Sequence, residues 1–200
     1  HYLALTGYLV LVVDTDSQAT TTSMFGYVPD AEISEDATIL PYLSGYQKTL
    51  GYAVRKTYWP NIDLIPACLA LYDAELAIVV HLAAQQDVEK RVQFFMELKY
   101  GLQTVADNYD VILLDSPPAL GMISINVLMA ADALLVPSAA RMFDFSSTVQ
   151  FFRMIHNYIG KIDANKQYRW ISVLTTLFDQ RYESQKQFVE VMRTCFGDSM

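Results

Sequence analysis

The sequence predicts an α/β fold with a doubly wound, mostly parallel sheet, and three observations carry that prediction. Short apolar runs recur along the chain, segments with helical periodicity lie between them, and two of the runs end abruptly in aspartate. The runs are Tyr8–Val13, Ile62–Ile65, Val111–Leu114, Ala133–Val136 and Trp170–Thr175. Several are apolar on successive residues and do not alternate, which is the pattern of strands buried on both faces of a parallel sheet. Parallel neighbours require crossovers, and the intervening helices supply them in the usual right-handed sense.

Each helix has its own signal. The longest periodic stretch runs from about Asp87 to Ala106, with Val88, Val92, Phe95, Leu98, Leu102 and Val105 on one stripe. A second follows Phe145 and carries Val149, Phe152, Ile155 and Ile159 inward, with Gly160 expected to close it. A third begins near Ser184 and carries Phe188, Val191, Met192 and Cys195. "HYLAL" reads as the end of a helix closed by Gly7, so the chain is expected to begin inside a helix and to be part of a longer protein. Residues 34–59, broken by Pro41, Gly45 and Gly51, read as a short helical insertion.

Composition bounds the class. Apolar residues make up 52% of 200 residues with 8 Gly and 7 Pro, so one packed domain is expected and disorder is not. A formal charge of −8 argues against strong nucleic-acid binding by this segment as a whole. Arg141, Arg153, Lys161, Lys166 and Arg169 form a loose basic group that reads first as scattered surface charge and second as a DNA-facing surface. Cys68 and Cys195 are too few and too far apart for a disulfide scaffold, and read as two buried thiols in a reducing cytoplasm. No apolar run approaches the roughly 20 residues of a membrane span. His81 and His156 read as packed or surface side chains, since no third His or paired Cys stands at metal-ligand spacing with them.

Chemistry concentrates at two strand ends, where open α/β sheets bind their ligands. Val13 runs into Asp14-Thr15-Asp16, and Leu114 runs into Asp115-Ser116-Pro117-Pro118. "YDVILLDSPP" has the form of a Walker B strand, whose terminal acid holds a water of Mg²⁺, an ion that keeps much of its hydration. Taken singly, each acid also reads as a turn or helix cap. Together they point to a Mg²⁺–phosphate site.

"GYLVLVVDTDSQATTTSMFGYVPD", "YWPNIDLIPACLALYDAE", "YDVILLDSPPALGMISINVLMAADALLVPSAARMFDFSSTVQFF" and "ISVLTTLFDQRYESQKQFVEVMRTCFG" follow one another in an order that resembles the ParA family of partition ATPases, nearest the plasmid RepA/ParA type. The resemblance covers nearly the whole chain. It implies a P-loop NTPase-like fold in which residues 1–200 form one ATPase domain lacking the family's first strand and deviant Walker A loop, and cut short at its C-terminus. That loop, of the form KGGxGK[ST], is expected roughly ten residues before His1, and its amides and lysines would cradle the phosphates.

By position, the resemblance makes Asp16 the catalytic acid that orients the attacking water and supports Mg²⁺. Asp14 becomes an outer-sphere neighbour of the metal, and Asp115 the acid holding Mg²⁺ through water. Thr175 and Pro137, at two further strand ends, fall near the family's nucleotide-base contacts. The implied cofactors are ATP and Mg²⁺. The implied partners are a second copy in a homodimer, a ParB/RepB-like centromere-binding protein that stimulates hydrolysis, and non-specific nucleoid DNA, with no membrane and a cytoplasmic, nucleoid-associated location. Ser17 stands where the family has Pro, Thr176 where Arg is common and Leu9 where a basic residue is common, which bears on base contacts more than on hydrolysis.

Two other readings remain open at this level. One is a non-hydrolysing relative that acts as a scaffold or binding module. The other is a haloacid-dehalogenase-type phosphatase with Asp14 as nucleophile and Asp16 as general acid. Against it, Gln18 occupies a position that should be Thr or Val, and Asp198 is the only source of the further acids it needs. Cell-division positioning ATPases and ATP-dependent amidoligases share the superfamily, but the Asp14-Asp16-Gln18 pattern favours partition.

Overall fold

The computed structural model describes residues 1–197, apart from the side chains of His81 and Val88. The readings made above of His81, of Val88 and of Asp198 therefore lie outside the described residues. The chain forms two compact units, His1–Ala130 and Ala131 onward.

The first unit is built on a four-stranded sheet. Strands β1 (Val10–Asp14), β2 (Arg55–Lys56), β3 (Ile62–Ile65) and β4 (Val111–Asp115) lie in the order β2-β3-β1-β4. All pairs are parallel except β2–β3, an antiparallel edge of two residues that the sequence does not signal. Both faces of β1 and β3 are covered. Leu11, Val13 and Ile65 pack with Ile39, Leu50, Leu71, Leu98, Leu102 and Ile123 on one side. Val10, Val12, Ile62 and Leu64 pack with Ala4, Leu3, Phe25 and Tyr27 on the other. A strand buried twice must be apolar at every position, which accounts for the unalternating run at 10–13.

Helix α1 (Tyr2–Leu5) ends as expected, with Gly7 at φ +97° and the Tyr8 amide donating to the Leu3 carbonyl. Helix α2 (Thr20–Met24) follows β1, and α3 (Leu40–Leu43) lies in the irregular segment before β2. Helix α4 (Ala70–Ala84) follows β3 and has no clear apolar period, because apolar residues occupy nearly every side of it. The single helix expected over 87–106 is two, α5 (Val88–Phe94) and α6 (Glu97–Gln103). Asp87 caps the first by accepting from the Glu89 and Lys90 amides. The second is anchored separately: the Leu98 amide, in its first turn, donates to Asn126 Oδ1 at 3.2 Å. Asn126 belongs to α7 (Met122–Ala130), a helix buried on nearly all sides and for that reason also without a period.

The second unit pairs β5 (Leu134–Ala139) with β6 (Ile171–Thr176) in parallel, Leu134 opposite Ile171. Helix α8 (Met142–Ile162) joins them and α9 (Glu183–Phe196) follows. Gly160 does not end α8, which continues two residues past it. In α9 the inward face is Val189 and Met192, with Val191 and Cys195 exposed, so the expected stripe is rotated by part of a turn. Aromatic rings set this rotation: Phe145 meets Phe188 and Phe196 edge-on, and Phe152 meets Phe196, all near 5.7–5.8 Å. No helix among the described residues is long and apolar enough to cross a membrane.

Candidate active site

The two aspartate-ended strands are neighbours. β1 and β4 run parallel with Asp14 directly opposite Asp115, so the pattern brings two carboxylates to one strand edge from residues 101 positions apart. The Thr15 amide and hydroxyl both donate to the Asp115 carbonyl, at 3.0 and 2.7 Å, and lock the two strand ends together.

The acids differ sharply in environment. Asp14 is fully buried. Its Oδ1 accepts from the Asp16 amide at 3.1 Å, and its Oδ2 accepts from the Thr22 amide and hydroxyl at 2.8 and 2.7 Å. Burial pushes its pKa above the usual 3.8, partly opposed by the Thr22 bonds, with the charge of Asp115 raising it a little further. Asp115 is exposed, and its Oδ2 accepts from the Thr21 hydroxyl at 2.5 Å. Asp16 is half-buried; its Oδ1 accepts from the Gln18 amide in a local turn, and its Oδ2 accepts from no donor among the described residues. None of the three is ion-paired among the described residues.

Thr22 is the residue the sequence reading missed, although it sits in the Ser/Thr-rich stretch that follows Asp16. Its hydroxyl donates to Asp14 and accepts from the Ala67 amide at 2.9 Å, joining α2, the end of β1 and the turn after β3. Glu75 on α4 was also missed. Its carboxylate accepts from the Met122 and Ile123 amides at the start of α7, and so anchors the far end of the loop that follows Asp115. Gly121 leaves room for this: a Cβ there would lie 2.8 Å from the Glu75 carboxyl carbon.

These residues fit Mg²⁺ as an ion that retains its waters and do not form a closed cage. No three Asp, Glu, His or Cys residues converge as a metal cluster among the described residues, because Asp14 spends both oxygens inward. What remains is one exposed carboxylate on a rigid strand end, a threonine hydroxyl beside it and a second acid with an open oxygen. That donor set of hard oxygens suits a hydrated magnesium ion. Pro137 and Thr175 lie in the second unit, one register step apart on β5 and β6. Pro137 is exposed, whereas the Thr175 hydroxyl is buried and has no hydrogen-bond partner among the described residues. In that unit His156 is exposed on α8, and Lys166 donates to the Ala131 carbonyl and lies over the Tyr168 ring.

The parallel sheet, with helices on both faces and acids at adjacent strand ends, defines a P-loop NTPase-like protein. The family described as "AAA domain" matches residues 1–168, and the chain belongs to it, with relatives of the ParA type. The protein SopA of Escherichia coli K12 is 36% identical over 189 residues, 94% of this chain and 48% of SopA. The chromosome partitioning protein ParA of Caulobacter vibrioides NA1000 is 28% identical over 200 residues, 99% of this chain and 69% of ParA. Among solved structures, cobyrinic acid a,c-diamide synthase from Mycobacterium smegmatis, with bound ADP and magnesium, superposes with a TM-score of 0.80. It is 25% identical, with 98% of this chain and 73% of that one covered. The chain spans about half the length of relatives such as SopA.

Proposed function

We propose that the full-length protein is an ATPase that drives plasmid or chromosome partition, and the observation that carries this is the Asp14–Asp115 pairing across β1 and β4. In this reading residues 1–200 belong to one ATPase domain, and a glycine-rich phosphate loop elsewhere in the protein completes the site. Bound Mg²⁺ would neutralise charge on the phosphates of ATP. Asp115 would hold a water of the ion, and the Thr21 hydroxyl, which donates to Asp115 Oδ2, would fix the rotamer of that carboxylate. Asp16 would offer its open oxygen to the attacking water as the catalytic carboxylate that orients it. Asp14 stands behind both as an organiser: it shapes the turn through the Asp16 and Thr22 amides and does not face the ion. Pro137 and Thr175 are proposed to meet the nucleotide base, with the unpartnered Thr175 hydroxyl as the supporting observation.

ATP would favour a homodimer that binds nucleoid DNA without sequence preference. A ParB/RepB-like centromere-binding protein would stimulate hydrolysis and release it. The protein would act in the cytoplasm at the nucleoid. The likeness to the chromosome partitioning protein ParA of Caulobacter vibrioides supports this use of the fold over amide ligation, which rests on a fold likeness at 25% identity.

The burial of Asp14 speaks against the phosphatase reading. A nucleophilic carboxylate must reach the substrate, whereas both oxygens of Asp14 are enclosed and hydrogen-bonded. The test is phosphate release from ATP by the full-length protein, alone and with DNA and a ParB-like protein. Stimulated release supports the partition ATPase. ATP binding without release at any condition supports the scaffold. Hydrolysis of p-nitrophenyl phosphate in the absence of ATP restores the phosphatase.

A further inference from the structure

At the other end of the strands from Asp14 and Asp115, the first unit has a cavity of about 570 Å³. Leu9, Lys56, Trp59, Asp63 and Tyr109 help to line it, around the starts of β1, β3 and β4. Asp63 lies within β3, opposite Leu11 of β1 and Lys56 of β2, at a strand position where apolar residues are the rule. Only 11% of its side chain is exposed. Its Oδ2 accepts from Lys56 Nζ and from the Tyr109 hydroxyl, both at 2.8 Å, while its Oδ1 accepts from no donor among the described residues. Burial and the bond to Asp63 push the Tyr109 pKa well above 10, so the phenol stays a donor. A carboxylate placed only to fasten β2 to β3 would spread its donors over both oxygens, because an enclosed oxygen without a partner is costly. Here one oxygen is kept open at the wall of a cavity.

We infer that this cavity binds a small organic cation, an ammonium or guanidinium head on an apolar stem, with Asp63 Oδ1 accepting from the head. The lining selects that class. Asp63 is the one acid among the lining residues, too few hard ligands for Mg²⁺ or Ca²⁺. An anion is disfavoured, since Lys56, the one lysine or arginine of the lining, already spends its charge on Asp63, and the chain carries a formal charge of −8. Trp59 brings an aromatic ring to the same cavity, and an organic cation is attracted to such a face. Leu9 and Val54 offer apolar contact to a stem. The volume lies within the roughly 300–1,000 Å³ that small-molecule sites occupy.

The wall is preformed. The Thr57 hydroxyl donates to the Ile62 carbonyl at 2.7 Å and accepts from the Trp59 amide at 3.1 Å. Asn61 takes the left-handed conformation of this turn at φ +64°, and its carbonyl accepts from the Val10 amide at 2.9 Å. Lys56 is the movable part. Its side chain is 88% exposed, so its ion pair is weak, and a ligand cation can displace it from the carboxylate.

The test is isothermal titration calorimetry of the full-length protein with agmatine, which carries an ammonium and a guanidinium on one apolar stem. Salt at about 0.15 M screens general attraction to the acidic surface. One saturable site is expected. Lys56→Gln removes the competing ammonium from an exposed position and tightens binding by about threefold or more. Asp63→Asn weakens it by about tenfold or more, and Trp59→Leu weakens it by about threefold. Should Asp63→Asn fail to fold, the gain in Lys56→Gln and the loss in Trp59→Leu decide alone. No saturable binding by the wild type or by Lys56→Gln overturns the inference. Binding that Lys56→Gln fails to tighten lies elsewhere on the acidic surface and overturns it as well. Butyrate binding that Lys56→Gln abolishes shows a site for anions, and overturns the assigned class.

Discussion

Thr22→Val tests whether the buried hydroxyl, more than any exposed acid, holds this site in shape. Valine has nearly the same shape, and the position has no solvent access, so only the hydrogen bonds change. The substitution removes the 2.7 Å donor to Asp14 Oδ2 and the acceptor of the Ala67 amide at 2.9 Å. A hydrogen bond to a charged group contributes about 1.5–3 kcal/mol, and a buried amide left without a partner costs about 1–3 kcal/mol. The methyl group that replaces the hydroxyl returns about 0.8 kcal/mol of apolar burial. The net loss is about 3 kcal/mol, a large share of the stability of a domain this size. The pH dependence gives a second reading. Burial raises the Asp14 pKa above 3.8, so this group favours the fold in acid and opposes it as pH rises through its raised value. The Thr22 bonds counter that rise, and removing the hydroxyl lifts the pKa further. The stability gap between wild type and variant is therefore widest at neutral pH and narrows as the carboxyl protonates. Urea unfolding of the full-length protein at several pH values measures both. A gap below about 0.5 kcal/mol, or one that does not change with pH, would refute the assigned role of Thr22.

Asp16→Ala in the full-length protein keeps ATP binding and loses turnover, measured by nucleotide binding and phosphate release; turnover at the wild-type rate removes Asp16 from the mechanism. Gly121→Ala displaces the Glu75 carboxylate from the start of α7 and costs about 1–2 kcal/mol, comparable to losing a helix cap. Glu75→Ala should cost about the same, and the double variant should add little, because both remove one interaction. Gly101→Ala places a Cβ 2.7 Å from the Tyr42 ring and 3.0 Å from Leu50 in a buried helix, an overpacking worth about 1–3 kcal/mol in thermal or urea unfolding. A thiol reagent added to the native protein labels Cys195, which is exposed, and spares Cys68, which is buried and whose pKa burial raises. Equal labelling of both thiols would contradict the packing around Cys68.

Strands were legible from runs of successive apolar residues: five such runs became five parallel strands, with ends shifted by up to three residues, although only β1 and β3 are buried at every position. The acids at two strand ends were legible for the same local reason, since a carboxylate stops an apolar run. What the sequence does not carry is which strands become neighbours. Only the pairing of β1 with β4 turns Asp14 and Asp115, far apart in the chain, into opposite partners. The expected helix over 87–106 failed because its break is set from outside, by Asn126 capping the second half. Helices α4 and α7 left no period because each is apolar on nearly every side, α7 through burial and α4 through an exposed stripe. The expectation of two buried thiols failed at Cys195 because aromatic contacts with α8 set the rotation of α9. Local pattern thus determined which residues form strands and which acids end two of them. Tertiary structure decided how those acids differ, since burial and the Thr22 donors of α2 turn Asp14 inward while Asp16 is half-buried and Asp115 exposed.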